Sequence, residues 1–85
     1  MRLLERTTPM LERARRWLSK VEGAVSGRNG HSATFRVACR LIGRFGLGPD
    51  EAYSLLTEWN GRCEPPWEQR ELEHKIRDAW KKEGR

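Results

Sequence analysis

The apolar positions of this chain recur at helical spacing in four separate stretches. Within each stretch, apolar side chains return every three or four residues, which places them on one face of an α-helix. No stretch alternates apolar and polar residues as a half-buried strand does. The pattern predicts an all-α fold, a small four-helix bundle with short connections and helices over about residues 9–22, 32–45, 49–60 and 68–82.

Proline and glycine mark the predicted helix ends. Pro9 and Pro49 lie in first turns, Gly46 fits the left-handed position after a helix, and Pro65-Pro66 precede the last helix. We predict a flexible N-terminal end over residues 1–8 and a single helical-bundle domain over residues 9–85. The side chains predicted to face inward are Met10, Ala14, Trp17, Leu18 and Val21, then Phe35, Ala38, Leu41, Ile42 and Phe45, then Ala52, Leu55, Leu56 and Trp59, then Leu72, Ile76, Ala79 and Trp80.

The net charge of +5 is distributed unevenly. Residues 1–46 hold ten Lys and Arg against three Glu, a net charge of +7, whereas residues 47–85 hold seven against nine acids, a net charge of −2. A one-sided basic excess is typical of proteins that bind a polyanion, most often a nucleic acid. The alternative is a well-solvated basic surface that has no partner.

Basic residues also fall into stripes on the first two predicted helices. Neighbouring like charges on a helix repel by a few tenths of a kcal/mol per pair, so the stripes favour an external anion. The alternative is that glutamates of the third and fourth helices neutralise them across the bundle. The stripes are Arg13, Arg16 and Lys20 in the first helix and Arg36, Arg40 and Arg44 in the second.

A glycine-punctuated polar loop, residues 26–35, leads into the second helix. A helix N-terminus has unpaired N–H donors and the positive end of the helix dipole, so this loop is a candidate cradle for a phosphate. The alternative is a flexible loop that ends in a serine or threonine cap. The candidate binding side chains are Arg28, Asn29, His31, Ser32 and Thr34.

Catalytic and metal-binding patterns are not indicated. Cys39 and Cys63 form no CxxC pair, which favours two reduced thiols and no metal or other cofactor. Closeness in sequence does not by itself establish the geometry of a Ser/His/acid catalytic unit, and no GxxxxGK[ST] phosphate loop is present. We expect a non-enzymatic protein in the cytoplasm with no membrane partner, because no signal peptide or long apolar span occurs.

Several segments, in this order, resemble the primase C-terminal helical domain (PriCT) family over about residues 9–82. They are Gly27–Phe35 before an arginine-bearing helix, Gly46–Ala52 at a helix junction, Trp59-Asn60, and Pro65–Ile76. Members of that family are small helical bundles in viral, plasmid and other mobile replication proteins. They lie beside the catalytic domain of primase-polymerases, or between that domain and a helicase.

The resemblance implies a non-catalytic accessory module of DNA replication that helps hold the template strand or the initiating nucleotide. Its implied partners are single-stranded DNA, a nucleoside triphosphate, and a primase-polymerase or helicase domain. The residues that match the family's Gly-Arg-Asn…Thr-Phe pattern are Gly27, Arg28, Asn29, Thr34 and Phe35, with Phe35 expected to pack and the polar ones to be exposed.

The chain departs from the family in two respects. Glu68 stands where the family has a small hydroxyl cap, so the last helix should begin a residue earlier or be capped less well. The acidic metal-binding residues and zinc stem of a primase catalytic domain are absent. We therefore expect no polymerisation by this chain, whether it is an excised domain or a stand-alone relative.

Two other functions remain open at this stage. One is a protein-interaction module that docks on a polymerase or helicase domain, with the charges only steering encounter. The other is a duplex DNA-binding regulator that places one basic helix in the major groove. The second helix carries few side chains suited to reading bases, which disfavours the regulator. The sequence leaves DNA, RNA and free nucleotide equally open as ligands.

Overall fold

Four helices follow one another along residues 9–84, the part of the chain that this computed structural model describes. They are α1 (Pro9–Leu18), α2 (Gly30–Cys39, continued by a π-helical turn over Arg40–Arg44), α3 (Pro49–Asn60) and α4 (Gln69–Glu83). Their arrangement confirms the predicted all-α four-helix bundle. The predicted flexible end, residues 1–8, lies outside the described residues, as does Arg85.

The core lies between α2, α3 and α4, with α1 packed against α3. All four inward positions predicted for α3 are buried. Burial of one large apolar side chain contributes about 1.5–3 kcal/mol to the free energy of folding, so these residues supply much of the stability of the core. The largest fully buried side chains are Trp59, Leu41, Leu55, Leu56, Leu72 and Thr34.

Two predicted core residues are instead exposed. Met10, in the first turn of α1, is 37% exposed, and Trp80, in the last turns of α4, is 40% exposed. The inward face of α4 is formed by Leu72, Ile76 and Ala79, which are buried. Trp80 lies at the edge of this face, about 80° around the helix from Leu72 and about 100° from Ala79, so its ring stays partly in solvent. The prediction that Met10 and Trp80 face inward is therefore wrong.

Helix α1 ends at Leu18, four residues before the predicted end. The Arg62 guanidinium donates to the carbonyl oxygens of Leu18 (2.7 Å) and Ser19 (3.0 Å). The Trp59 indole donates to the Val21 carbonyl at 3.2 Å. The Leu18 carbonyl also accepts from the Val21 N–H at 3.0 Å in a local turn, so local and distant residues together fix the end of this helix.

Helix α2 begins at Gly30, two residues earlier than predicted, after Asn29 in a left-handed conformation (φ 60°). Asparagine tolerates that conformation better than most residues. At the other end, the Phe45 N–H donates to the Arg40 carbonyl at 3.1 Å, a bond across five residues that defines the π turn.

The chain leaves this turn through Gly46, whose φ of 69° is the left-handed value predicted for it. The Leu47 N–H then donates to the Leu41 carbonyl at 3.2 Å, and the Leu47 side chain is buried.

Helix α3 has the predicted bounds, and α4 begins one residue later than predicted. Glu68 precedes α4 in an extended conformation, and its N–H donates to a Glu71 carboxylate oxygen at 3.2 Å. The expectation that the helix begins earlier is wrong, because this bond fixes its start after Glu68.

Candidate functional site

The predicted binding residues lie at both ends of α2 and along α1. At the beginning of α2, a cleft of about 250 Å³ opens between the segment from Ala24 to His31, the Pro65–Trp67 connector and Glu71. We call it the loop cleft. An isolated parallel bridge joins its two rims, where Val25 pairs with Glu64. Of the predicted binding side chains, only His31 lines this cleft.

Trp67 is held in position by hydrogen bonds to its backbone and to its indole ring. The Asn60 side chain accepts from the Trp67 backbone N–H at 2.8 Å and donates to its carbonyl at 2.9 Å. The Trp67 indole N–H donates to the Thr34 hydroxyl at 2.9 Å. Because these groups are partly or fully buried, each bond also avoids the cost of an unsatisfied polar group.

Thr34 is fully buried, which contradicts the expectation that it is exposed. It lies one helical turn before Val37 and Ala38, both buried, and so shares their inward face. Its hydroxyl faces the Trp67 indole rather than solvent. Thr34 is therefore a positioning residue for Trp67 and does not itself contact a ligand at the surface.

His31, which lines the cleft, contacts both Trp67 and Lys75. The His31 ring lies 4.7 Å from the Trp67 ring, centroid to centroid, at a tilt of 60°. The Lys75 ammonium lies 2.9 Å from His31 Nδ1 and 5.0 Å from the Trp67 ring centroid.

Sequence reasoning missed Lys75 and Glu71, and for Trp67 it favoured core packing over base stacking. The four-residue step from Glu71 to Lys75, which places both on one face of α4, is the signal that could have found them.

The other predicted binding residues of the loop do not line the cleft. Arg28, Asn29 and Ser32 are exposed, and within residues 9–84 none of their side chains makes a hydrogen bond. The first intrahelical bond runs from the Ala33 N–H to the Asn29 carbonyl at 2.9 Å. Since α2 starts at Gly30 and has no side-chain cap, the alternative of a serine or threonine cap is wrong.

At the other end of α2, arginines surround an aromatic pair. The Arg40 guanidinium lies 5.5 Å from the Trp17 ring centroid, and the Trp17 and Phe45 rings are 5.6 Å apart. Arg36 and Arg40 line a shallow groove of about 150 Å³ together with Trp17 of α1 and with Val21 and Glu22 of the segment that follows it. The Glu22 carboxylate lies in this groove but is not within 4.0 Å of either guanidinium. We call Arg36, Arg40 and Trp17 the arginine surface. It joins part of the predicted second-helix stripe to α1.

Glutamates of α3 and α4 do not neutralise this surface. Among residues 9–84, the one arginine within 4.0 Å of a carboxylate is Arg15, which lies 3.2 Å from Glu58. Arg15 belongs to neither predicted stripe. The charged side chains of the stripes are all exposed and lack such a carboxylate: Arg13, Arg16, Lys20, Arg36, Arg40 and Arg44. Lys20 lies in the turn after α1 rather than on the helix.

Within the described part of the chain, no group of three or more His, Cys, Asp or Glu is placed to hold a metal ion. Both cysteines there are free thiols. Desolvation by burial raises the pKa of Cys39, helped by the nearby Glu83 carboxylate, and it also raises the pKa of Cys63. Among the helices of residues 9–84, none has the length and apolar character needed to cross a membrane.

Comparison with known proteins gives one match. The profile of the family described as Primase C terminal 1 (PriCT-1) matches residues 18–85. No curated protein and no solved structure matches the chain. The matched range contains α2, α3 and α4 and both rims of the loop cleft, but it leaves most of α1 outside, although the resemblance was expected from residue 9. With a match over most of its length, the chain belongs to the PriCT-1 family of primase-associated, replication-related modules.

Proposed function

We propose that this domain is a non-catalytic module that binds single-stranded DNA for a primase-polymerase, through the arginine surface. The observation that carries the proposal is that Arg36 and Arg40 are exposed and have no carboxylate partner within residues 9–84. Guanidinium groups bind phosphates with paired, charge-assisted hydrogen bonds. A cluster of free arginines beside an aromatic ring therefore suits a phosphate backbone that carries unstacked bases.

The surrounding charge supports the same ligand. Arg13 and Arg44 extend the positive charge along α1 and the π turn, and the acids of the chain are concentrated after residue 46. Neutralising phosphates releases bound counterions, so log affinity for a single strand falls with log salt at about 0.7 per phosphate contact. One phosphate contact by each of Arg13, Arg36, Arg40 and Arg44 predicts a slope of about −2.8.

The experiment that tests the proposal is fluorescence anisotropy with labelled oligo-dT between about 50 and 200 mM salt. The double substitution R36A/R40A removes two phosphate contacts. It should weaken binding at least tenfold at low salt and make the slope shallower by about 1.4. The matched control is R70A/R77A, which removes the same charge from exposed positions of α4. Equal weakening by both double variants, or no binding by the unaltered chain, contradicts the proposal.

A second function, docking of a partner protein domain, is favoured by a groove between α3 and α4. This open groove of about 570 Å³ is lined by Tyr53, Ile76, Arg77 and the exposed Trp80, among others. Trp, Tyr and Arg are the residues that most often dominate the energy of protein interfaces. With a primase-polymerase domain supplied in trans, W80A should abolish association while R36A/R40A leaves it intact. Association that survives W80A contradicts docking at this groove.

A further inference from the structure

We propose that the loop cleft is a second binding site, and that it holds one unpaired nucleobase of the bound strand, guanine in preference to the others. The proposal rests on the proposed function, because the strand held by the arginine surface delivers the base. The cleft lies at the beginning of α2, and Arg36 and Arg40 lie on another side of the same helix, so a single strand would pass around the helix to reach both.

The size of the cleft suits a base and little more. Pockets for drug-sized ligands enclose about 300–1,000 Å³, and this one encloses about 250 Å³. Its walls include the rings of His31, Pro65, Pro66 and Trp67. Unstacked bases bind proteins by stacking on such flat side chains, and the sugar and phosphates remain outside.

The walls are already held in their working positions. Trp67 is fixed by Asn60 and Thr34, and His31 is fixed by Lys75. A ligand that enters the cleft therefore does not have to order these side chains, which removes part of the entropic cost of binding. This degree of support is characteristic of a binding site rather than of a surface irregularity.

The carboxylate of Glu71 decides which part of a nucleotide faces inward. One of its oxygens accepts from the Glu68 N–H at 3.2 Å, and no side chain within residues 9–84 donates to the other. An ionised carboxylate accepts hydrogen bonds only, so it repels phosphate and attracts N–H groups. The loop was predicted to cradle a phosphate, but Glu71 makes the cleft itself favourable for the base edge.

Among the bases, guanine meets this carboxylate best. Its pairing edge carries two adjacent N–H donors, at N1 and the exocyclic amine, which can approach a carboxylate together. Adenine, cytosine and thymine each place an acceptor beside the donor on that edge, and the acceptor would face the negative charge of Glu71. Charge-assisted bonds are about twice as strong as neutral ones, so the difference should be large enough to measure.

The test compares oligo-dT strands that carry one central deoxyguanosine, deoxyinosine or deoxyadenosine. All three strands have the same charge, so contacts of the arginine surface are equal. Deoxyinosine lacks only the exocyclic amine of guanine. We expect the guanine strand to bind about tenfold more tightly than the inosine strand, and the adenine strand to bind no better than inosine.

The variant E71Q should reduce the guanine-to-inosine ratio to about one. Its amide oxygen can still accept from the Glu68 N–H, so the start of α4 is kept, but its NH₂ group opposes the guanine donors. The matched control is E73Q, an exposed neighbour on α4, which should keep the tenfold ratio. As an independent measurement, the guanine strand should shift the indole N–H resonance of Trp67 in the unaltered chain.

The outcomes separate the two proposals. If guanine and inosine strands bind equally, or if the Trp67 resonance does not move, the cleft proposal is overturned while salt-dependent binding through Arg36 and Arg40 still supports the proposed function. A tenfold ratio that persists in E71Q also overturns the role of the cleft. If no strand binds at all, the proposed function fails, and the cleft proposal fails with it.

Discussion

The two ends of α2 use polar side chains in opposite ways. At the loop cleft, hydrogen bonds of 2.8–2.9 Å join Trp67 to Asn60 and to Thr34. Trp67 and Asn60 are partly buried, and Thr34 is fully buried. At the arginine surface, Arg36 and Arg40 extend into solvent without a carboxylate partner in the described residues. One end is held by satisfied bonds, whereas the other end presents unsatisfied charge.

This contrast separates the residues that maintain the fold from those that are available for a ligand. A buried donor or acceptor without a partner costs about 1–3 kcal/mol, so the bonds at the cleft are tied to stability. An exposed charge contributes about 0–1 kcal/mol, so an arginine can be removed with little effect on folding. Substitutions of Asn60 and Thr34 should therefore change the stability, whereas substitutions of Arg36 and Arg40 should change binding.

The largest effect on stability is expected for Asn60→Ala. It removes both bonds to the Trp67 backbone and leaves two main-chain groups without partners, at a cost of about 2–3 kcal/mol. Urea unfolding followed by circular dichroism measures this loss. The control is Gln69→Ala, whose exposed side chain should cost less than about 0.5 kcal/mol. Equal losses of unfolding free energy in the two variants would show that the bonds to Trp67 do not stabilise the fold.

A smaller effect is expected for Thr34→Val, which keeps the shape of the side chain but deletes the acceptor of the Trp67 indole N–H. The cost should be about 1–2 kcal/mol, and the indole proton should exchange with solvent faster. Thr34→Ser, which retains the hydroxyl, should preserve slow exchange. Slow exchange in the valine variant would mean that the indole is held by something other than Thr34.

The smallest effect on stability is expected for R36A/R40A. The unfolding free energy should change by less than about 0.5 kcal/mol per site, because the lost charges are exposed and only the contact of Arg40 with Trp17 is given up. The same urea experiment measures it, beside the binding data for this variant. A loss above about 2 kcal/mol would place the arginines with the fold-maintaining residues and remove the contrast between the two ends of α2.

Features with a local cause could be predicted from the sequence. Helix α3 has the predicted bounds because Pro49 opens it and its apolar residues all lie on one face. Gly46 has the expected left-handed backbone because glycine adopts this conformation readily. The fold class and the family follow from several such local signals occurring in order.

Features set by distant contacts could not be predicted. The end of α1 depends on Arg62, which is 44 positions away from Leu18 in the chain. The site at the loop cleft needs His31 and Lys75, equally far apart in sequence, to meet through tertiary packing. The inward direction of Thr34 depends on Trp67 as its partner, and a polar residue near a predicted helix start gives no sign of such a partner. The π turn at Arg40 has no local signal that the pattern of apolar residues reveals.

The bonds that fasten α1 to the rest of the domain have a consequence for redesign and divergence. Arg62 and Trp59 bind main-chain carbonyls at Leu18, Ser19 and Val21, not side chains. Every amino acid offers a carbonyl, so this attachment tolerates almost any sequence on the outer face of α1. Arg15 is the exception, because its guanidinium binds Glu58 of α3 at 3.2 Å. The other outward residues of this helix can be changed, to add or remove charge beside Trp17, while Arg62 and Trp59 keep their bonds to the main chain.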